Sequence, residues 1–244
     1  MPEGPSILLV KEAIDIFASK KIISVTGNTT TIDKNILLNQ KIIEFKTWGK
    51  HLLICFKNFS IRIHFMMFGS YSVTEKKEKL VRLGLHFKKG DLYFYTCSVK
   101  LLEGDINQYY EWDTDVMNVT WDEKKAKQKL KQHAEKMICD VLLDQSIFSG
   151  VGNIIKNEIL YRCKVHPESI IKNIPARALN KLIKEARNYS FEFLAWKRDY
   201  VLKKHWQVYA KKICEICKNK IIRKQTGVKK RRSFFCSHCQ KIIG

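Results

Sequence analysis

The chain has 244 residues, 45% of them apolar, and carries 45 Lys and Arg against 24 Asp and Glu, a formal charge of +21. That length suits one large cored domain or two modest ones plus a small appendage, and the charge makes a polyanion the natural partner. No apolar run approaches the eighteen or so residues of a membrane span and the start lacks the basic-then-apolar pattern of a secretory signal, so a soluble intracellular protein is expected.

Ser6 to Ser19 carries Leu9, Ala13, Ile16 and Phe17 at helical spacing, which predicts a helix that precedes the strands and packs on them. From about residue 20 to 115 the period is two: Ile61, Ile63 and Phe65 alternate with Arg62 and His64, and Leu83, Leu85 and Phe87 repeat the pattern. This pattern predicts a β-sandwich or barrel. After Trp121 the period lengthens, because Ala126, Leu130, Ala134, Met137, Ile138 and Val141 fall three or four apart, and one helix is predicted there. A short helix is expected after Gly152 and a longer one from about Pro175, with Leu179, Leu182, Ile183, Ala186 and Phe193 as its apolar stripe.

Between the first two of these helices lies Ser149-Gly150-Val151-Gly152-Asn153. Two glycines let backbone N–H groups converge at a helix start, an arrangement that binds a phosphate as readily as it makes a plain corner between helices.

Residues 197–241 hold 15 Lys and Arg against Asp199 and Glu215, so this segment supplies +13 of the net charge. Nucleic acid is the leading partner; an anionic membrane would need a lipid anchor or amphipathic helix that is not evident. Eight cysteines in an intracellular chain do not read as disulfides. Cys55, Cys97, Cys139 and Cys163 stand alone in apolar surroundings and read as small buried hydrophobes. Cys214 and Cys217 form one CxxC pair, Cys236 and Cys239 a second, with 18 residues between them. Two such knuckles complete a tetrahedral zinc site without a hydrophobic core, with His238 inside the second knuckle as a substitute ligand. Lys229, Lys230, Arg231 and Arg232 lie between the knuckles, either a phosphate-binding tip or a solvated charge run.

The opening Met1-Pro2-Glu3-Gly4-Pro5 reads as an ordinary terminus or as chemistry. Removing Met1 would leave a secondary amine at Pro2, partly neutral near pH 7 and able to form an iminium ion with a sugar C1′, with Glu3 beside it as acid or base.

This order of features resembles the formamidopyrimidine-DNA glycosylase and endonuclease VIII family over nearly the whole chain. The opening MPEGP is similar to the family's catalytic start, LLDQSIFSGVGNIIKNEIL (142–160) to its helix–two-turn–helix, and the last 31 residues to its zinc finger. The resemblance implies an α+β multidomain fold: a catalytic β-sandwich domain with flanking helices (1–118), a helix–two-turn–helix domain (119–206) and a β-hairpin zinc finger (207–244) holding one structural zinc. It implies Pro2 as Schiff-base nucleophile, Glu3 as acid/base and Lys50, after Trp48 and Gly49, as a phosphate-contacting lysine that assists catalysis. Asn153, next to Gly152, and Arg231 would grip the backbone of the flipped nucleotide, with Arg232 adjacent if the alignment slips by one. The stretch HFMMFGS (64–70) is similar to the void-filling loop, so His64, Met66, Met67 and Phe68 would meet DNA, the apolar three as wedges and Met67 foremost among them.

Ser6 replaces the glutamate common after this opening, and Ser190 to Gln207 lacks the glycine-rich loop that caps oxidised guanine in the formamidopyrimidine branch. The first puts in doubt any lesion contact made from that position, and the second favours the endonuclease VIII side. The implied function is a monomeric base-excision repair glycosylase and AP lyase acting on damaged DNA, oxidised pyrimidines above all, by β,δ-elimination. The alternatives are an oxidised-purine glycosylase of the same family and a non-catalytic zinc-ribbon nucleic-acid binder.

Overall fold

The computed structural model describes residues 2–243, which form two compact units, one running up to Tyr110 and the other from Glu111 onward. The first opens with α1 (Gly4–Ile14). The Glu3 carbonyl accepts from the N–H groups of Ser6 and Ile7 at 2.8 and 3.3 Å, and Pro5 occupies the first turn, where its missing N–H leaves no bond unmade. These signals start the helix two residues before the predicted Ser6 and set its rotational phase. Its buried face is therefore Ile7, Val10 and Ile14, continued by Phe17, while Ala13 and the predicted Ile16 face solvent. Both stripes have helical spacing, and packing against the strands selects one of them.

Six strands come next: β1 (Ile22–Thr26), β2 (Glu44–Trp48), β3 (His51–Cys55), β4 (Phe59–Val73), β5 (Val81–Phe87) and β6 (Asp91–Glu103). They form one antiparallel sheet in the order β1-β5-β6-β4-β3-β2. Its two edges meet through Lys21 and Lys41, where Ile22 N–H donates to Gln40 at 2.9 Å and Ile42 N–H to Lys20 at 3.0 Å. The sheet thus closes on itself around a core of Leu52, Ile54, Ile61, Ile63, Leu83, Leu85 and Phe94, with α1 packed on it. Arg62 and His64 point out from the same strand, as the period of two requires. Each fully buried Ile or Leu here contributes about 1.5–3 kcal/mol.

The second unit contains α2 (Glu123–Gln132), α3 (Ile138–Val141), α4 (Asn153–Arg162) and α5 (Ala176–Arg198), then the hairpin β7 (Ile222–Thr226) and β8 (Arg231–Phe235). Asp122 caps α2 by accepting from the N–H groups of Lys124 and Lys125 at 2.8 and 3.1 Å. The single helix predicted through Val141 is in fact broken after His133. Ile138 and Cys139 donate to the carbonyls of Ser169 and Pro167 at 3.0 and 3.1 Å, tertiary bonds that displace the helical ones. In α5, Leu182, Ile183, Ala186 and Phe193 are buried and Leu179 lies at the margin of the core. Among the described residues, no helix is long and apolar enough to cross a membrane.

Candidate functional site

In the first unit Pro2 is half-buried, and Glu3, only 3% exposed and extended in its backbone, sits at the N-terminus of α1, the positive end of its dipole. Ser6 is buried on the same turn of helix. Lys50 occupies the two-residue turn between β2 and β3, which Trp48 and His51 close as a pair. Gly49 takes φ +52° in that turn, a conformation glycine adopts without strain.

Aromatic and cationic side chains back this turn. His51 has its ring 5.6 Å from Trp48, 5.2 Å from His64 and 5.8 Å from Tyr110, and Trp48 lies 5.1 Å from Tyr110. Burial, together with the charges of Arg62, His64 and Lys50, lowers the His51 pKa to about 3, and burial with Arg62 and Lys50 lowers that of His64. Burial also pushes the Tyr110 hydroxyl up to about 12. Both imidazoles are thus held in the neutral form, and Lys50 and Arg62 supply the positive charge of the patch.

Further along β4, pairing with β6 breaks between Phe65 and Ser70. The residues in between form a bulge inside the longest strand rather than a loop at its end. Met66, Met67 and Phe68 are 50%, 65% and 77% exposed there, so three large apolar side chains stand in solvent together. A Cβ on Gly69 would come within 2.9 Å of the Thr96 carbonyl, so this close approach of the two strands requires glycine.

In the second unit the turn before α4 is braced from within. Gln145 accepts from Gly150 N–H and donates to the carbonyls of Leu143 and Val151, all at 3.1 Å, and Gly150 carries φ +97°. The Gly150 N–H is therefore spent inside the protein. Asn153 Nδ2 donates to the Arg232 carbonyl at 2.9 Å, tying the helix start to β8. Behind it, fully buried Lys156 donates to Ser233 Oγ at 2.8 Å, and Asn157 Oδ1 accepts from Phe234 N–H at 2.9 Å. Glu158 accepts from the N–H groups of Gln207, Val208 and Tyr209 at 2.9, 3.0 and 2.7 Å, which fixes the segment that leads into the hairpin. At the hairpin tip Asp140 accepts from Val228 N–H at 2.8 Å and Lys229 N–H at 3.3 Å, and a Cβ on Gly227 would strike its carboxylate.

Arg231 and Arg232 are both exposed but alternate across β8. Arg231 shares the face of Ser233, turned to α4. Arg232 shares the face of Phe234, which packs 4.9 Å from Tyr209.

The sulfur atoms of Cys214, Cys217, Cys236 and Cys239 all lie within 4.8 Å of one another, with Cys214–Cys239 at 3.8 Å and Cys217–Cys236 at 3.4 Å. A tetrahedral site with metal–sulfur bonds of ~2.3 Å has edges of ~3.8 Å, so these four fit a metal ion. His238 is not a member of the cluster. Burial raises the Cys214 thiol, but the Tyr161 hydroxyl at 3.0 Å and the N–H groups of Cys217 and Ile216 outweigh it and lower the pKa to about 6. The other four cysteines are free thiols, and burial raises each of them, Cys97 and Cys163 to about 12.

Two sequence profiles match the chain: the formamidopyrimidine-DNA glycosylase N-terminal domain over residues 1–100 and the formamidopyrimidine-DNA glycosylase H2TH domain over residues 114–191. The chain belongs to the formamidopyrimidine-DNA glycosylase and endonuclease VIII family. Endonuclease 8-like 3 of Mus musculus is 31% identical over 205 residues, covering 80% of this chain but 34% of its own length. The chain thus spans about a third of that relative. The formamidopyrimidine-DNA glycosylase of Mycoplasma genitalium is 25% identical across 99% of this chain and 96% of its own length. A solved Lactococcus lactis formamidopyrimidine-DNA glycosylase, in complex with DNA containing an oxidised pyrimidine, superposes with a TM-score of 0.86 at 23% identity, over 98% of this chain and 100% of that one.

The formamidopyrimidine-DNA glycosylase fold distributes the expected residues over both units. Pro2, Glu3, Lys50, His64 and the exposed trio belong to the first, and Gly152, Asn153, Arg231 and the four cysteines to the second. Within the second, Asn153 and the basic hairpin are directly bonded, a link the separate motifs did not reveal. Sequence reading missed the bracing set of Asp140, Gln145, Lys156, Asn157 and Glu158, because charged and amide residues on a helix ordinarily signal a solvent face. It also missed His51 and Tyr110, which carry no motif and become a site only through the strand register.

Proposed function

We propose that the chain is a base-excision repair DNA glycosylase with AP lyase activity, acting as a monomer on damaged DNA inside the cell. The observation that carries this reading is the pairing of Pro2 with a buried Glu3 carboxyl at the head of α1. Its three functional parts would be residues 1–118 for chemistry, 119–206 for strand grip and 207–244 for the finger.

With Met1 removed, the Pro2 nitrogen lone pair attacks C1′ while the C1′–base bond breaks and the base departs with a proton. Glu3 protonates the ring oxygen, the sugar opens, and an iminium ion joins Pro2 to C1′. The iminium acidifies the C2′ proton. Its removal expels the 3′ phosphate, a second elimination expels the 5′ phosphate, and water then frees the proline.

Lys50, backed by neutral His51 and His64, supplies a cation for the adjoining phosphate without competition from charged imidazoles. Met66, Met67 and Phe68 have the exposure required of wedges that replace an extruded base. Asn153 and Arg231 are the backbone grip, and the face Arg231 shares with Ser233 favours it over Arg232. Cys214, Cys217, Cys236 and Cys239 would hold one zinc. When bound, zinc supplies structural closure of the finger and no chemistry to the eliminations.

Oxidised pyrimidines are the expected lesions, because only a short segment links α5 to the finger and no glycine-rich capping loop intervenes. An oxidised-purine preference is the second reading, favoured by the full-length similarity to formamidopyrimidine-DNA glycosylases. Strand cleavage on a panel of oxidised pyrimidines, oxidised guanine, ring-opened purines and abasic sites, in single and double strands, tests it. Cleavage at oxidised pyrimidines above the others is expected. Binding without cleavage of any lesion would leave a zinc-ribbon binder instead.

A further inference from the structure

Tyr161 stands near the C-terminal end of α4, and its side chain, 4% exposed, packs among Val208, Ile221, Phe234 and the finger cysteines Cys214 and Cys236. A phenolic hydroxyl in such surroundings has lost its water and needs a partner. Cys214 supplies one: its Sγ, itself fully buried, lies 3.0 Å from the hydroxyl oxygen.

This contact differs in kind from the other donors at the cluster. Cys214 also accepts from the N–H groups of Ile216 and Cys217, and Cys236 from those of His238 and Cys239, each pair belonging to the cysteine's own knuckle. Such bonds come with the tight CxxC turn. The hydroxyl comes from a helix 53 residues away in the chain. That same helix begins with Asn153, whose amide donates to the Arg232 carbonyl at 2.9 Å. The two contacts are about 12 Å apart along the helix axis, so α4 runs from the cysteine cluster to the strand that bears Arg231.

We propose that the Tyr161 hydroxyl is a positioning group for the finger's metal: it donates to the Cys214 thiolate, strengthens binding of the ion, and joins the metal site to the helix that carries Asn153. The inference rests on the reading of the four cysteines as a zinc site. Four thiolates around one dication leave a surplus of negative charge in a dry pocket. A donor aimed at one sulfur disperses that charge and holds the ligand in place, and loss of such a partner weakens metal binding about 10–100-fold.

The test compares the full-length wild type with Tyr161→Phe, which keeps the ring and removes the oxygen. Zinc affinity is read by competition with a chromophoric chelator, and the sulfur itself by the sulfur-to-metal charge-transfer absorption of the cobalt(II)-loaded proteins. Tyr161→Phe should bind zinc about 10–100-fold more weakly. Its cobalt absorption should move to longer wavelength, because a hydrogen bond lowers the energy of the sulfur lone pair and so raises that of the transition. In excess chelator the two proteins should unfold alike, since the packing of the ring is retained. Unchanged zinc affinity overturns the inference, and so does a loss of affinity with an unmoved cobalt band, which would mark altered packing instead of a lost bond. A wild type without any thiolate–cobalt absorption would remove the zinc reading and this inference with it, whereas a wild-type band with a silent Tyr161→Phe overturns this inference alone.

Discussion

His51 should make the first unit acid-sensitive in a way that one substitution removes. Its Nδ1 is buried without a hydrogen-bond partner, and burial among Arg62, His64 and Lys50 lowers its pKa from 6.5 to about 3. The unfolded chain therefore takes up a proton that the folded chain refuses. Stability from this residue is full above about pH 6.5 and falls as pH drops from there towards about 3, by up to about 1.4 kcal/mol per pH unit. Between about pH 6.5 and about pH 5 the ceiling is about 2 kcal/mol, or about 1–1.5 kcal/mol once solvent access to the half-buried ring is allowed for. His64 titrates in the same direction and remains in the comparison. His51→Phe keeps a ring against Trp48 and Tyr110 but has no proton to bind. Urea unfolding of both proteins at about pH 7.5 and about pH 5 should show the wild type losing about 1–1.5 kcal/mol more than the variant. Equal losses would refute the buried neutral imidazole.

Glu158→Ala removes the acceptor from three backbone N–H groups. At about 1–3 kcal/mol for each donor stripped, urea unfolding should register a loss of about 3 kcal/mol or more, and a loss under about 1 kcal/mol would contradict the brace. Chelation should expose four thiols to titration and melt the hairpin while the far-UV signal of α4 and α5 persists; thiols equally reactive before and after chelation would exclude the metal site. Arg231→Ala should reduce the slope of log Kd against log salt for duplex DNA by about 1, whereas Arg232→Ala should leave it nearly unchanged, and the reverse order would move the grip to Arg232.

Residues whose chemistry is local were readable from sequence. The cysteine knuckles needed only their spacing, and the period of two in Ile61, Ile63 and Phe65 placed β4 correctly because each face of a strand meets one environment. What escaped depends on contacts distant in the chain. The helix broken at His133 has the spacing of a continuous one, and the carbonyls that break it belong to Pro167 and Ser169. Lys156, Asn157 and Glu158 look like a solvent face until Ser233, Phe234 and residues 207–209 arrive to satisfy them. The phase of α1 is not legible because Ile7-Val10-Ile14 and Leu9-Ala13-Ile16 are equally periodic. The apolar run Met66-Met67-Phe68 is legible, but its setting in a bulge of β4 is not, since Gly69 gives no hint that Thr96 lies against it.

The most direct test is reduction by borohydride of the protein mixed with abasic-site DNA, followed by mass mapping of the cross-linked peptide. A covalent adduct on the nitrogen of Pro2, absent from a chain extended at its N-terminus, is the predicted result. An adduct mapped to Lys50, or no adduct at all, would contradict the assignment of the N-terminal imine as the centre of the chemistry.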